Sequence, residues 1–251
     1  MLDECEYVPG SIFDLPPAPD ADLLQRAAKL GVSAVSAAMG GPMARQRLID
    51  GHGLARIAGE GAIAGPALTI WEPMGSVKMN LPALELARPG DVIVISADRD
   101  TAQWGEVAST LASALGVVGA VVDGVVRDID RIREMGFSTW GARIFASQGF
   151  RGASGLVNVP VNLQGLLIRP GDVVLADGDG IFAIPPKLLQ RAVEAGERKH
   201  EVEERILASV SKGIIPDEMR KPFEITPEEG DLYQGAPRRM RMLASEYQQA
   251  R

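Results

Sequence analysis

The residues best suited to chemistry in this chain are Arg127 and Asp128, which follow the apolar segment VVGAVVDGVV. A guanidinium can hold a carboxylate through two parallel hydrogen bonds, and an aspartate can bind Mg²⁺ through oxygen. A metal at Asp128 would polarise the carbonyl of a 2-oxo acid and stabilise the enolate. The pair therefore predicts a site for a small 2-oxo acid, although such pairs are more commonly surface ion pairs that cap a helix.

A second group of candidates lies at the start of a helix predicted from about Gly105 to Leu115. The free backbone N–H groups of residues 105–108 could bind a carboxylate there. Glu106 would lie in the first turn, where the helix dipole alone favours an acidic residue. Because strand ends and helix starts meet at one rim of an α/β layer, we expect this turn beside Arg127 and Asp128.

Apolar segments bounded by glycine predict the strands that hold these groups in place. The predicted strands cover 62–71 (interrupted at Gly65-Pro66), 92–97, 117–126, 137–147, 173–176 and 181–185, with strand and turn across 157–168. The predicted helices cover 21–31, 32–40, 81–87, 105–115, 129–136 and 186–210. Two Pro-Gly-Asp turns, at 89–91 and 170–172, precede similar strands. They are best explained as the same type of turn used twice, and not as an internal repeat. The mixture predicts a layered α/β domain.

Composition and rare residues narrow the chemistry further. The 251 residues are 46% hydrophobic and 24% charged, which is enough for a sizeable core, and the net charge of -7 argues against broad nucleic-acid binding. The one cysteine, Cys5, permits neither an intrachain disulfide nor a cysteine-rich metal site. His52 and His200 are too far apart for a helical zinc motif. We therefore expect oxygen ligands and Mg²⁺ or Mn²⁺ as the cofactor.

Several common kinds of site and location are not expected. The chain has neither a phosphate-binding P-loop nor a GxSxG nucleophile elbow, and GVVGAVVDG lacks the spacing of a dinucleotide fingerprint. The acidic start, MLDECEYVPG, has no apolar core of a signal peptide. Because no stretch reaches about 18 apolar residues, we expect a cytoplasmic protein without a membrane helix.

These residues together resemble the RraA-like family, which includes the 4-hydroxy-4-methyl-2-oxoglutarate and 4-carboxy-4-hydroxy-2-oxoadipate aldolases. The family pattern is an acidic residue, twenty residues and then Arg-Asp, and here residues 107–126 separate Glu106 from Arg127. The segment PGDVVLADGDGIFAIP is similar to the closing strand pair of the family. The resemblance covers most of residues 20–213. It implies an α/β fold of the swivelling β/β/α type, a central β-sandwich flanked by helices.

The resemblance also implies a role for each residue of the site. Asp128 would bind the metal directly, and Arg127 would bind the pyruvyl carboxylate and carbonyl and stabilise the enolate. Glu106 would orient a metal-bound water. The carboxylate-binding turn would consist of Gly105, Glu106, Val107 and Ala108. Trp104 flanks this turn and would either shape the pocket or pack in the core.

A further glutamate would come from the C-terminal helix of a neighbouring subunit. In the segment VEERILASVSKG this position falls on Glu203, with Glu204 and Glu201 as alternatives and a solvated helix charge as the ordinary explanation. The resemblance implies a homotrimer or homohexamer. We divide the chain into an N-terminal arm (1–19), a catalytic domain (20–213) and a C-terminal extension (214–251) that would pack on a neighbour.

The implied activity is that of a metal-dependent lyase, a class II pyruvate aldolase. It would cleave a 4-hydroxy-2-oxo diacid into pyruvate and a second oxo acid, with oxaloacetate decarboxylation as a side activity. Because such a substrate is polyanionic, further cations should line the pocket, and Arg99, Arg133 and Arg143 are the candidates. The expected partner is a small-molecule 2-oxo acid, with neither nucleic acid nor a membrane.

Two positions depart from the family pattern and leave the substrate open. The family usually has Asp where this chain has Glu106, and its early helix usually reads T-x-x-x-D-A-L where this chain has Ala37 at the Asp position. Two other functions therefore stay open. One is a non-catalytic protein-binding regulator of ribonuclease E, and the other is a hydratase or tautomerase acting on another carboxylic acid.

Overall fold

The computed structural model describes residues 8–40, 44–98, 100–152, 154–216 and 219. The helices are α1 (Ala21–Met39), α2 (Asn80–Glu85), α3 (Glu106–Ala114), α4 (Ile129–Met135) and α5 (Pro186–Val210). The first strands are β1 (Leu48–Asp50), β2 (Ala55–Ala58), β3 (Ile63–Glu72), β4 (Val92–Ala97), β5 (Ala102–Trp104) and β6 (Gly119–Val126). The others are β7 (Thr139–Ile144), β8 (Leu156–Val157), β9 (Val161–Leu163), β10 (Leu166–Ile168), β11 (Val173–Ala176) and β12 (Gly180–Ile184).

The chain divides into two compact units, Met1–His200 and Glu201–Arg251. In the first unit a large sheet has the strand order β1-β12-β11-β3-β4-β6-β7-β2, with β5 beside β6 and β8 beside β3. β3, β4, β6 and β7 run parallel, as expected for strands joined through helices. β1, β12 and β11 form an antiparallel part.

Strand β3 joins the two parts of the sheet. Its residues 63–66 pair antiparallel with β11, and its residues 67–72 pair parallel with β4. The prediction that Gly65-Pro66 interrupts the strand is therefore wrong. The strand continues through Pro66, and its pairing partner changes there because proline has no N–H to donate. Gly65 is required by close approach, since a Cβ there would lie 2.1 Å from the carbonyl oxygen of Gly90.

Alternating side chains show that the two parts pack face to face. On β4, Val94 faces an inner core while Ile93 faces the core beneath α2, α3 and α4. On β11, Val174 faces the same inner core while Leu175 faces the core beneath α1 and α5. Because both parts contribute to one inner core, they form a sandwich whose outer faces are covered by helices. The predicted α/β class, with a central β-sandwich flanked by helices, is confirmed.

The two Pro-Gly-Asp turns have the same internal hydrogen bond. The Asp91 carboxylate accepts the N–H of Arg88 at 2.8 Å, and the Asp172 carboxylate accepts the N–H of Arg169 at 3.0 Å. Both aspartates are buried, and burial raises the pKa of each carboxyl above its ordinary value. The turns hold β4 and β11 on either side of β3.

The predicted helices match the structure closely, and three short strands were not predicted. β1, β2 and β5 have at most four residues each, too few for a periodic pattern. The described part of the N-terminal arm is irregular, as predicted, and is held to β8 by a hydrogen bond from the Phe13 N–H to the Val157 carbonyl (3.1 Å). Most of the C-terminal extension lies outside the described residues. Among the described helices, none is long and apolar enough to cross a membrane.

Asp177 should stabilise the two-part helix α1. Gly31 interrupts this helix with φ 76° and ψ 173°, and the Asp177 carboxylate accepts the N–H of Val32 at 2.7 Å where the helix resumes. We expect Asp177→Ala to lower the free energy of unfolding by about 1–2 kcal/mol, the usual cost of losing a helix cap. Urea denaturation measures the change. Asp179→Ala in the same turn is the control, and an equal loss in both variants would contradict the capping role.

Asp172 should make the folded protein less stable as the pH rises, which is the opposite of the usual effect of an aspartate. Because its pKa is raised above 3.8 in the folded state, the folded protein binds this proton more readily than the unfolded chain. The stability that Asp172 contributes is then present below about pH 3.8 and is lost as pH rises through the raised pKa. Asp172→Asn keeps an acceptor for Arg169 and removes the titration. We expect the wild type to lose stability relative to Asp172→Asn as the pH rises above 3.8 in urea denaturation, and a relative gain would contradict this account.

Candidate active site

The candidate site lies where two parallel strands end side by side. Trp104, the last residue of β5, pairs with Val126, the last residue of β6, and its carbonyl accepts the N–H of Arg127 at 3.0 Å. Helix α3 begins two residues after Trp104, and α4 begins just after Asp128. The predicted meeting of the strand end and the helix start is therefore found at one edge of the sheet.

The Asp128 carboxylate connects the two turns. Its Oδ2 lies 3.3 Å from Arg127 Nε and accepts the N–H of Glu106 at 3.3 Å. The side chains of Arg127 and Asp128 are 41% and 38% exposed, so the pair is accessible to a small molecule. The structure thus brings Gly105, Glu106, Arg127 and Asp128 together.

The backbone of Asp128 has an uncommon conformation. Its φ of 56° and ψ of 34° are left-handed, a region that non-glycine residues rarely enter and that tends to occur at functional sites. Asp128 is the N-cap residue of α4, yet its side chain makes no capping hydrogen bond to that helix. The carboxylate contacts the start of α3 instead. The ordinary explanation of the pair, a cap on the following helix, therefore does not account for Asp128.

Gly105 leaves room for this carboxylate. A Cβ at position 105 would lie 2.7 Å from Asp128 Oδ2 and 3.2 Å from Arg127 Cγ. The φ of Gly105 is -167°, an extended conformation that any residue can adopt, so glycine is needed here for space alone. A side chain at position 105 would displace the Arg127–Asp128 pair.

The start of α3 offers two backbone donors. The N–H of Glu106 is taken by Asp128, so the prediction that it is free to bind a carboxylate is wrong. In the described part of the chain, the N–H groups of Val107 and Ala108 have no acceptor, as is usual in the first turn of a helix. These two N–H groups and the positive end of the helix dipole could bind an anion beside Arg127.

Two clefts meet at the Arg127–Asp128 pair. The main cleft has a volume of about 830 Å³ and is bordered by Gly105, Val107, Ala108, Arg127 and Asp128, among others. The second cleft, of about 380 Å³, is bordered by Glu106, Arg127 and Asp128 together with Ile144 and Phe145. Glu106 thus lies on the other side of the pair from Val107 and Ala108.

Trp104 has both roles that the sequence left open. It borders the main cleft, and it is almost completely buried. Its indole Nε1 donates to Ser109 Oγ at 2.7 Å, and its ring stacks on Phe137 with centroids 6.4 Å apart. Because Ser109 lies on α3 and Phe137 follows α4, Trp104 fixes the positions of both helices relative to the sheet.

Of the predicted additional cations, the two that the structure describes, Arg133 and Arg143, do not line the main cleft. Arg133 donates from Nε to the carbonyl of Ile57 at 3.0 Å and borders a different cleft, so its prediction is wrong. The Arg143 guanidinium lies 4.6 Å from the centroid of the Phe145 ring, away from the wall of the main cleft. Arg99 lies outside the described residues.

Sequence reasoning missed Arg151 and Asn80, which border the main cleft. Arg151 lies in the loop between β7 and β8, where no periodic pattern marks it. Asn80 is buried at the start of α2, and its Nδ2 donates to the Gln103 carbonyl at 2.6 Å. Neither position has a sequence signal, because only the folded chain brings these loops to the cleft.

The carboxylates at the site suit a hard metal ion with few protein ligands. Among the described residues, no group of three or more histidine, cysteine, aspartate or glutamate side chains could form a metal cage. Asp128 uses Oδ2 for Arg127 and Glu106, and its Oδ1 has no protein partner among the described residues. Mg²⁺ and Mn²⁺ accept one or two carboxylates and keep several waters, so these residues fit such an ion.

The remaining predicted positions lie away from this edge of the sheet or in the other unit. Ala37 is exposed on α1 and borders neither cleft. Glu203, with its alternatives Glu201 and Glu204, lies on the part of α5 that belongs to the second unit. The role of Glu203 stays a prediction.

Comparisons with known proteins agree with the fold and with the family that the sequence resembles. A family model described as RraA-like, Aldolase/RraA, matches residues 32–183. A Halalkalibacterium halodurans protein named "Putative 4-hydroxy-4-methyl-2-oxoglutarate aldolase" is 33% identical over 157 residues, 61% of this chain and 74% of that protein.

Two crystal structures are similar to the described fold. Streptomyces coelicolor RraAS2, described as an unusual member of the RNase ES inhibitor RraA protein family, has a TM-score of 0.65 and 27% identity. The match covers 74% of this chain and 96% of that one. An uncharacterized Pseudomonas syringae protein has a TM-score of 0.70 and 24% identity, covering 82% of this chain and all of that one, which supports the fold alone.

Gly105→Ala tests whether the site depends on space at position 105. The added methyl group should displace the Asp128 carboxylate and Arg127, because it would lie 2.7 Å from Asp128 Oδ2. We expect the affinity for oxalate, a small dicarboxylate, to fall by about 10-fold or more in isothermal titration calorimetry with Mg²⁺ present. Gly51→Ala is the matched control, since a Cβ there would make contacts of ordinary length. Unchanged oxalate affinity in Gly105→Ala would contradict the assignment of the site.

Proposed function

Because the chain belongs to the RraA-like family, we propose that it is a divalent-metal-dependent carbon–carbon lyase that releases pyruvate from a 2-oxo acid. The observation that carries this proposal is the contact of Asp128 with both Arg127 and the first N–H of α3. It puts a carboxylate, a guanidinium and two free helix N–H groups at one edge of the sheet. These are the groups that a 2-oxo acid needs for binding and for stabilising an enolate.

Arg127 and the start of α3 bind the substrate in this proposal. The N–H groups of Val107 and Ala108 receive the carboxylate, and the Arg127 guanidinium contacts the carboxylate and the neighbouring 2-oxo oxygen. As the carbon–carbon bond breaks, negative charge grows on the 2-oxo oxygen. Arg127 stabilises that charge because its guanidinium is a cation that can donate two parallel hydrogen bonds.

Asp128 holds the divalent ion, which supplies a Lewis acid for the 2-oxo group when it is bound. Glu106 has one more methylene than the family's usual aspartate, and it borders the second cleft. We assign it the role of orienting the water that accepts the proton from the C4 hydroxyl. This role follows from the resemblance and from the position of Glu106 beside the pair.

The reaction balances without an added reductant or oxidant. The C4 hydroxyl loses its proton, the C3–C4 bond breaks, and C4 leaves as the carbon of a second carbonyl compound. The electron pair of that bond forms the enolate between C3 and C2, which takes up a proton at C3 to give pyruvate. Decarboxylation of oxaloacetate needs the same enolate, so we include it as a side activity.

We also propose that a neighbouring copy completes the site, as the resemblance implies for Glu203 in a homotrimer or homohexamer. Glu201 and Glu204 are the alternatives on the same helix. A diacid is the substrate that the resemblance implies, since the related aldolases carry diacids in their names.

A second candidate function is regulation of a ribonuclease by protein binding. It is favoured by the likeness to RraAS2, which is described as a member of the RNase ES inhibitor RraA family. An assay of RNA cleavage by ribonuclease E, with this chain in excess, separates the two functions. Inhibition by wild type and Asp128→Asn alike, together with no pyruvate release, would favour the regulator.

Pyruvate release from oxaloacetate with Mg²⁺, followed by EDTA, tests the proposed lyase. We expect turnover that EDTA abolishes, and a loss on the order of 100-fold or more in Asp128→Asn because the amide no longer holds the metal. Asp22→Asn is the matched control, since it also removes an exposed ion pair with an arginine, Arg26. Full metal-dependent activity in Asp128→Asn, or no turnover in the wild type, would contradict the proposal.

A further inference from the structure

A buried side-chain amide ties helix α2 to the short strand β5. Asn80, the first residue of α2, donates from Nδ2 to the carbonyl of Gln103 at 2.6 Å, and both side chains are buried. Gln103 is the middle residue of β5, which pairs with β6 alone among the described strands. Because successive carbonyl groups of a strand point to opposite edges, Asn80 holds the edge of β5 that faces away from β6.

Asn80 is itself held from the centre of the sheet. Glu72, the last residue of β3, is buried, and its carboxyl group accepts the backbone N–H groups of Met79 and Asn80. Buried hydrogen bonds of this kind are shielded from competition with water. The start of α2 is therefore fixed to β3, and the Asn80 amide reaches β5 from a fixed position.

Strand β5 leads directly into the groups that bind the substrate. The carbonyl of Trp104, the residue after Gln103, accepts the N–H of Arg127 at 3.0 Å, and α3 begins two residues later. The N–H groups of Val107 and Ala108, which receive the substrate carboxylate in the proposed lyase, lie in the first turn of that helix. A displacement of the Gln103 carbonyl would therefore move Arg127 and both N–H groups together.

We propose that Asn80 is a positioning residue of the site, which fixes the substrate-binding turn by holding the Gln103 carbonyl of β5. This inference rests on the proposed lyase function and extends it to an uncharged residue outside the Arg127–Asp128 pair. Asn80 acts through the backbone and not through the part of the substrate beyond C3. Its loss should therefore weaken the binding of every ligand with a 2-oxo acid group, or with the similar pair of oxygens in oxalate, by about the same factor.

Asn80→Ala tests this role by removing the donor to the Gln103 carbonyl. We expect the affinity for oxalate, measured by isothermal titration calorimetry with Mg²⁺ present, to fall about 10-fold, because small displacements of binding groups are costly. Asn158→Ala is the matched control. Asn158 is also buried, donates from Nδ2 to a backbone carbonyl (that of Phe13, at 2.7 Å) and does not border the main cleft. An equal loss of oxalate affinity in both variants, or no loss in Asn80→Ala, overturns the inference.

Amide hydrogen exchange separates positioning from a direct contact with the ligand, because Asn80 also borders the main cleft. The N–H groups of Arg127 and Glu106 donate to Trp104 and Asp128. We expect both to exchange about 10-fold faster in ligand-free Asn80→Ala than in the ligand-free wild type, while the amides of β4 keep their rates. Asn80→Leu, which keeps the size of the side chain without the donor, is the second variant, and we expect the same result should Asn80→Ala fail to fold. Unchanged exchange at Arg127 overturns the inference, whatever happens to the affinity.

Two substrates separate this inference from the proposed function. Oxaloacetate and 4-hydroxy-4-methyl-2-oxoglutarate share the 2-oxo acid group and differ from C4 onward, so kcat/KM for pyruvate release should fall by about the same factor for both in Asn80→Ala. A loss confined to the hydroxy acid means a direct contact and overturns the positioning role alone. The expected oxalate and exchange results, in a wild type that releases no pyruvate from either substrate, refute the lyase function and support the positioning role. A wild type that binds no oxalate refutes both.

Discussion

The hydrogen bond from the first N–H of α3 to the Asp128 carboxylate is the interaction on which the site depends. It joins the turn after β5 to the turn after β6, two segments that are otherwise linked by strand pairing. The carboxylate can reach α3 because Asp128 has a left-handed backbone and because Gly105 has no side chain. The conformational cost of Asp128 is about 1–3 kcal/mol for a residue in such a region, and the surrounding fold has to offset it.

That interaction also determines how charge is distributed at the edge of the sheet. Asp128 accepts the N–H of Glu106 at the start of α3. The N–H groups of Val107 and Ala108 are therefore the ones that could bind an anion there. Arg127 contacts the same carboxylate oxygen, so its guanidinium is oriented before any substrate arrives. A bound metal would share Asp128 with Arg127. The metal ion and the Arg127 guanidinium would then lie close together. This arrangement suits a ligand that places negative charge between these two cations.

The packing around Trp104 makes this arrangement rigid. Its indole donates to Ser109 on α3, its ring stacks on Phe137 after α4, and its carbonyl receives the N–H of Arg127. The side chain of Trp104 thus contacts α3 and a residue that follows α4, while its backbone carbonyl binds the first residue of the pair. Catalytic geometry needs support of this kind, since small displacements of the reacting groups reduce activity strongly. The second function of Trp104, to border the cleft, follows from the same position.

Local sequence patterns were sufficient to predict the long helices and strands of this fold. They could not predict the short strands, for a physical reason. The long helix from Pro186 to Val210 and the buried strand β6 have periodic or continuous apolar patterns, and both were predicted with nearly correct boundaries. Of the groups at the site, the pair after β6 and the start of α3 were predicted for the same reason. β5 has three residues and is determined by its pairing with β6, which no local pattern encodes.

The arginines show why the charges that border the cleft could not be predicted from the sequence. Arg133 and Arg143 are close to Arg127 along the chain, but the direction of a side chain depends on where the chain folds against other elements. Arg133 faces β2 and binds the carbonyl of Ile57, while Arg143 stacks on Phe145. Arg151 is more distant in sequence and borders the cleft. With Arg133 and Arg143 directed elsewhere and Arg151 brought to the cleft by its loop, the charges that border the main cleft follow from the folded chain and not from spacing along the sequence.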